Sequence, residues 1–437
     1  MARWLTDAFG KSVPPPIAPP DHYEPDDIAA MLREIGAALI ECSQPIQLVE
    51  QRLLDIAASY TTKPVQVAVL PTILFVQIGN ATHQMESSIQ SSGLFDMAAR
   101  IDDIAAQARA GAISPQDAVA AVHAARTAPP RFGVVSTIFG YALTTVGFGM
   151  VVAPSWRALL AHLFLGLVVG LIVQLSRPFP GLSPILPTLS ALVVTLLGTW
   201  FVADVARDGL LPIITPPLIA TLPGMALVIG SIELASGKII SGSSRVIFGI
   251  AQLGLLVYGV VIGVRIAGQV TPQDPSASMG SWATYVSVAV IAVGLYLYLS
   301  APRESLGWLT LVIGVSVLAQ NLAGLALSTA HSGFIGAMVA VPFAVLCARI
   351  RTAPPAGMLA LAAFWSLVPG QLTFMSVSRG ATGDYVGTAG LGVAAGAIVS
   401  IALGTLVGWS LLRTLSARIN TVGVRRYSHG DEGDHPR

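Results

Sequence analysis

Two stretches decide how this chain reads: LIATLPGMALVIGSIELASGK at 218–238 and LAAFWSLVPGQLTFMSVSRG at 361–380. Each sets a Pro-Gly pair, Pro223-Gly224 and Pro369-Gly370, inside an apolar run. Proline removes a backbone donor and glycine weakens a helix. Hydrocarbon cannot satisfy the backbone groups freed at such a break, so the break must face protein or a wet cavity. Two breaks at matching places in two halves point to a carrier whose substrate site lies at the breaks.

Composition agrees with a membrane chain. Of 437 residues, 54% are hydrophobic and 11% charged, and mean hydropathy is +0.72, far from soluble-domain averages. The net charge of +1 hides a division. Residues 1–130 hold 8 Lys/Arg against 14 Asp/Glu, and the remainder 16 against 9. No basic stripe suggests nucleic acid as a partner. Cys42 and Cys347 lie too far apart in sequence and context for a disulfide framework or a metal knuckle. MARWLTDAFGKSVPPPIAPP is too polar and Pro-rich for a signal peptide, so the first span is expected to target the chain.

After a flexible lead over 1–22, a small α+β domain is expected over 23–130, on the cytoplasmic side. Helical spacing marks DDIAAMLREIGAALIEC, with Ile28, Met31, Leu32, Ile35 and Leu39 on one face, and then IQLVEQRLLDIAASY. PVQVAVL and TILFVQIG read as two strands separated by Pro71. GLFDMAARIDDIAAQARAG follows as a helix, and ISPQDAVAAVHAART starts another with Ser114 as N-cap, Pro115 at its first position and Asp117 closing the cap. His83, Glu86 and Asp96 fit no hydrolase or metal spacing and read as solvated loop residues. Asn80-Ala81-Thr82 fits a glycosylation sequon by chance.

Ten spans are expected, near 132–153, 157–176, 184–206, 210–232, 245–268, 281–300, 305–327, 331–348, 356–377 and 386–412, with a longer polar link from Glu233 to Arg245. Lys/Arg near the span ends divide twelve against four, which puts both termini in the cytoplasm of a plasma-membrane protein. Ala153-Pro154 and Ala301-Pro302 are 148 residues apart, and the two Pro-Gly pairs 146 apart. The fold expected is therefore membrane α-helical, with two inverted five-helix repeats over 131–270 and 271–413, a cytoplasmic tail over 414–437 and disorder from Tyr427 onward.

Around the first break the residues resemble the threonine/serine exporter family. Its signature places an intramembrane Pro-Gly before an acidic-x-x-Ser-Gly and a Ser-Gly-x-x-Arg, matched here by Pro223-Gly224, Glu233 to Gly237, and Ser241 to Arg245. ALIECSQPIQLVEQRLLDIAASY with PVQVAVLPTILFVQIG resembles that family's cytoplasmic domain, and LVPGQLTF its second Pro-Gly. The family usually carries Asp where this chain has Glu233. The resemblance implies secondary active export of threonine and serine, driven by proton antiport, with the lipid bilayer, the amino acid and protons as partners and no cofactor. Related two-component systems that export succinate make a dicarboxylate the alternative cargo.

Candidate substrate residues are Pro223, Gly224, Pro369, Gly370, Gln371 and Thr373 at the breaks, with Gln174 and Asn321 at corresponding places in the two halves. Ser376 lies on the same segment as Gln371 and Thr373, Gln320 and the other amides serve equally well as interhelical glue, and His162 reads as interfacial. Glu233 is the candidate for the coupling proton, because an acid in a membrane helix is costly and functional by default, and the alternative is an interfacial carboxylate paired with Lys238 or Arg245. Lys238, Gly237, Gly242 and Arg245 are assigned structural or gating roles. Gly166/Gly170, Gly259/Gly263, Gly392/Gly396 and Gly404/Gly408 mark close helix contacts, internal or in a homo-oligomer. SGKIIS lacks the glycine spacing of a phosphate loop. HExxH, GxSxG and paired cysteines do not occur, so an enzyme is not expected, and a membrane-anchored hydrolase or a channel ranks below the carrier.

Overall fold

The computed structural model describes residues 15–86, 95–202, 209–268, 277–367, 374–379 and 388–427. It begins with an α+β unit whose helices are α1 (Pro25–Glu41), α2 (Ile46–Ala57), α3 (Phe95–Arg109) and α4 (Pro115–Thr127). α1 and α2 pack on an antiparallel meander of β1 (Val65–Val69), β2 (Ile73–Ile78) and β3 (Ala81–Glu86) in the order β1-β2-β3, and α3 and α4 pack on those helices. Ile28, Met31, Leu32, Ile35 and Leu39 of α1 all face the core, where they meet Leu74, Val76 and Ile78 from the buried face of β2. Removing each such side chain from water contributes roughly 1.5–3 kcal/mol. Ser114 caps α4 as expected, its hydroxyl accepting from the Asp117 N–H at 3.1 Å.

β3 is a strand the sequence hides. Its residues ATHQME are polar, yet Ile78 pairs with Ala81 across the two-residue loop Gly79-Asn80, and Gly79 takes φ +58. Turn geometry, not hydrophobic alternation, sets this edge. His83 and Glu86 therefore lie on a strand, and His83 sits 3.4 Å from Asp26. Asp96 lies in the first turn of α3 and pairs with Arg100. The expected loop positions of all three are corrected.

The rest is a multi-pass helical assembly. Its elements are α5 (Val134–Val152), α6 (Trp156–Ser176), α7 (Leu186–Leu197, extended by a π turn through Val202), α8 (Leu210–Leu218) and α9 (Gly224–Ala235). Next come α10 (Ile239–Ala267), α11 (Trp282–Tyr298), α12 (Ser305–Gly324), α13 (Thr329–Cys347), α14 (Ala356–Leu367) and α15 (Thr388–Tyr427). Among the described residues, α5, α6, α10, α12 and the 395–412 part of α15 are long and apolar enough to cross a membrane. The bent pair Leu210–Thr221 and Gly224–Ala235 makes a sixth crossing when counted as one span. Each of the ten expected ranges overlaps a helix, but α7, α11, α13 and α14 are shorter. The 12 residues of α14, for example, reach only about 18 Å.

Two boundaries differ from expectation. The polar link between Glu233 and Arg245 shrinks to Ser236–Lys238, because α10 starts at Ile239. Ser243 and Ser244 donate back to the carbonyls of Ile239 and Ile240, which keeps this polar run helical. The last helix also runs past its expected end at 412: α15 continues through Tyr427, a stretch without proline.

Helix directions follow from the contacts. α5 and α11 pack antiparallel, with Gly140 against Tyr298, Thr144 against Gly294 and Gly147 against Ile291. α10 packs on α7 where Gly259 faces the Thr188 carbonyl, and α15 packs on α13 where Gly404 faces the Phe334 carbonyl. A Cβ at these glycines would lie 2.4 and 2.1 Å from those oxygens, so only glycine permits the approach.

Candidate functional site

The first Pro-Gly is a sharp break, with α8 and its 3₁₀ continuation bent by 62° from α9. Pro223 caps α9 without a donor to give, and both Pro223 and Gly224 are buried. Upstream, Pro216 and Pro217 stand inside α8. Lacking an N–H, Pro216 leaves the Pro212 carbonyl unpaired within the helix. The His162 Nε2 from α6 approaches that oxygen at 3.4 Å. The carbonyl of Pro217, at the helix end, accepts from the Tyr141 hydroxyl of α5 at 2.8 Å. Tyr141 is in turn set by an edge-on contact with Tyr298 of α11. His162 is thus fully buried between helices, which corrects its interfacial reading.

The broken span also changes partners at its bend. α8 packs on α5, α6 and α7, in a cluster with Leu165, Val169 and Val194. α9 packs on α10 and α15, where Val228 and Ile232 join Ala337, Val341, Phe364 and Ile401. Leu222, at the bend, packs against the cluster of α8 and against a second cluster built from α11, α12, α13 and α14. A counterpart occurs on the other half. α14 packs on α12 and α13, while Phe374 and Val377 in the helical run 374–379 join the cluster of α8.

At the far end of α9 lies a second polar centre. Glu233 is wholly buried, and Arg245 of α10 is 3% exposed. Arg245 Nε lies 3.2 Å from Glu233 Oε1, an ion-pair distance without hydrogen-bond alignment. The same oxygen accepts from the backbone N–H of Ile46 at 3.1 Å. Ile46 opens α2, and its N-cap, Pro45, offers no side-chain cap, so Glu233 supplies from the membrane part the acceptor that this helix start lacks. Glu233 Oε2 and Arg245 Nη2 are buried without a hydrogen-bond partner among the described residues.

The turn after α9 is a Schellman motif. Gly237 takes φ +80, and the Gly237 and Lys238 N–H groups donate to the carbonyls of Leu234 and Glu233. Lys238, so aimed, forms an ion pair with Glu50 of α2, and the Val69 N–H holds Glu50 from β1 at 3.3 Å. Gly242 brings α10 against α9: a Cβ there would lie 2.6 Å from Leu234 N and 2.7 Å from the Gly230 carbonyl.

The structure therefore gathers Glu233, Gly237, Lys238, Gly242 and Arg245 at one turn and sets them apart from the break. Ten residues of helix separate Pro223 from Glu233, about 15 Å. Gln174 is half-buried on α6 with Oε1 unpaired among the described residues, and Asn321 is exposed on α12. Gln320 instead packs beside Gly336 of α13. Pro369, Gly370, Gln371 and Thr373 lie outside the described residues. Sequence reasoning missed Tyr141, Ile46 and Glu50. The Pro216-Pro217 pair is a signal in the sequence from which unpaired carbonyls needing donors could have been read. Among the described residues no cluster of His, Cys, Asp and Glu could hold a metal ion.

Residues 30–267 match the family model ThrE, "Putative threonine/serine exporter". This range takes in most of the α+β unit, the first broken span and the whole of α10. No curated protein and no solved structure matches the chain.

Proposed function

The chain belongs to the threonine/serine exporter family, and on that premise we propose that it is a secondary active exporter of threonine and serine, coupled to proton antiport. The observation that carries the reading is the broken span, which packs with one set of helices before Leu222 and another after it. A small ligand held there touches both sets, as alternating access requires. Pro223 and Gly224 border the site, and the N-terminal end of α9 offers partial positive charge to an amino-acid carboxylate. Pro369, Gly370, Gln371 and Thr373 supply the other half of the site, with Gln174 and Asn321 as further polar groups.

Two inverted repeats, with both termini in the cytoplasm of a plasma-membrane protein, complete the proposal. Several contacts support it. The first helices of the two halves run antiparallel, and the Gly259–Thr188 and Gly404–Phe334 contacts recur at offsets close to that of the Pro-Gly pairs. Glu233 is assigned the coupling proton. Protonation would weaken its hold on Arg245 and on the Ile46 N–H together. Proton-coupled export at the normal rate by Glu233→Gln would remove that role.

A dicarboxylate cargo fits less well, since Lys238 and Arg245, the cations it would need, are each engaged by a carboxylate. Counterflow in proteoliposomes tests the substrate. The expected result is saturable exchange of labelled threonine or serine with succinate inert; exchange of succinate alone would overturn the assignment.

A further inference from the structure

The N-terminal unit touches the membrane assembly at points that lie in different halves of the chain. In the first half, Ile46 and Glu50 of α2 hold Glu233 and Lys238 at the turn between α9 and α10. In the second half, the Phe95 N–H donates to the carbonyl of Leu299 at 2.8 Å, just past the end of α11. The Phe95 side chain is fully buried among Leu299, Ala301, Leu359 and Ala363. Gln44, immediately before Pro45, lies beside Gly357 at the start of α14. One unit thus bridges both halves of the chain.

The two sets of contacts differ in kind. The second-half contact joins a backbone hydrogen bond to an apolar seat that buries a whole aromatic ring. The first-half contact is polar. Its outer pair is partly open to water, with the Lys238 side chain 35% exposed. Its inner pair leaves Glu233 Oε2 and Arg245 Nη2 unsatisfied. A half-satisfied buried network is a costly arrangement, so little is lost when these groups exchange partners. The apolar contact suits a fixed hinge, and the polar one suits a contact made and broken in each cycle.

Building on the transport reading, we propose that the N-terminal unit is a latch. It stays anchored at Phe95 and closes the access path on its own side by gripping the α9–α10 turn through Ile46–Glu233 and Glu50–Lys238. Release of the grip frees the inner end of the broken span to move, and admits the amino acid from that side.

Two measurements on the full-length protein test this, with Cys42 and Cys347 replaced by Ala. In the first, Glu50→Cys and Lys238→Cys are joined by a short bifunctional methanethiosulfonate, and threonine counterflow is followed before and after reduction. The latch predicts loss of exchange on joining and recovery with reductant. Exchange by the joined protein at the reduced rate overturns it. In the second, Leu222→Cys is labelled by an impermeant thiol reagent applied from the side of the N-terminal unit, with and without Lys238→Ala. Faster labelling in the Lys238→Ala protein is expected, and unchanged labelling overturns the latch. Labelling needs no substrate. If the reduced protein exchanges nothing, the transport reading falls, and the labelling alone decides the latch.

Discussion

The two ends of α9 solve the same problem in opposite ways. At its start, Leu222 to Gly224, the chain breaks in an apolar setting, and the carbonyls freed nearby in α8 meet His162 and Tyr141 from neighbouring membrane helices. At its end, Glu233 to Lys238, charged groups meet partners from another part of the molecule, and some of their atoms stay unpaired. The first arrangement gives the carbonyls freed by proline in α8 partners from fixed neighbouring helices. The second can trade one set of partners for another. In the carrier proposed above, the break would hold the ligand and the releasable contact would decide which side is open.

Removing one member of the buried pair should have the largest effect. Arg245→Met leaves Glu233 buried without a counter-charge and should cost about 3–5 kcal/mol. It would show as poor yield and a lowered melting temperature in detergent. Adding Glu233→Leu should recover most of the loss, whereas a double variant as unstable as the single one would mean the pair is not what holds the turn. Gly242→Ala comes next, because its methyl would press on backbone atoms of α9. The overpacking cost should be about 3 kcal/mol, with the hairpin of α9 and α10 more open to proteolysis.

Tyr141→Phe sharpens the comparison at the other end. Loss of the donor to Pro217 should destabilise by about 1–2 kcal/mol without altering contacts at the Glu233 turn. Lys238→Ala should be the mildest in stability, within about 1 kcal/mol for a half-exposed pair, yet change exchange kinetics more than Tyr141→Phe does. The reverse order of kinetic effects would break the division between a fixed break and a mobile turn.

Much of this contrast was legible in the sequence, for physical reasons. Proline and glycine act locally, so Pro223-Gly224 announced the break. Helical spacing on an apolar face is also local, and α1 appeared with its buried residues already identified. What stayed hidden depended on distant partners. Nothing near Glu233 indicates that its carboxylate meets Ile46, 187 positions away, or that Lys238 turns from it towards Glu50. His162 gave no sign of burial, because the carbonyl it approaches exists only where Pro216 removes a donor. Polar β3 escaped notice because its pairing is set by the Gly79-Asn80 turn and the strand beside it.

Threonine or serine is proposed to rest where the broken span changes partners. The most direct measurement is substrate protection of Leu222→Cys, in a background with Cys42 and Cys347 replaced by Ala. The rate of modification by a thiol reagent is read with and without ligand, beside a counterflow assay on the same protein. Slower modification with threonine or serine, and not with succinate, is the predicted result. An unchanged rate in protein that still exchanges threonine would place the ligand away from the break and contradict the account.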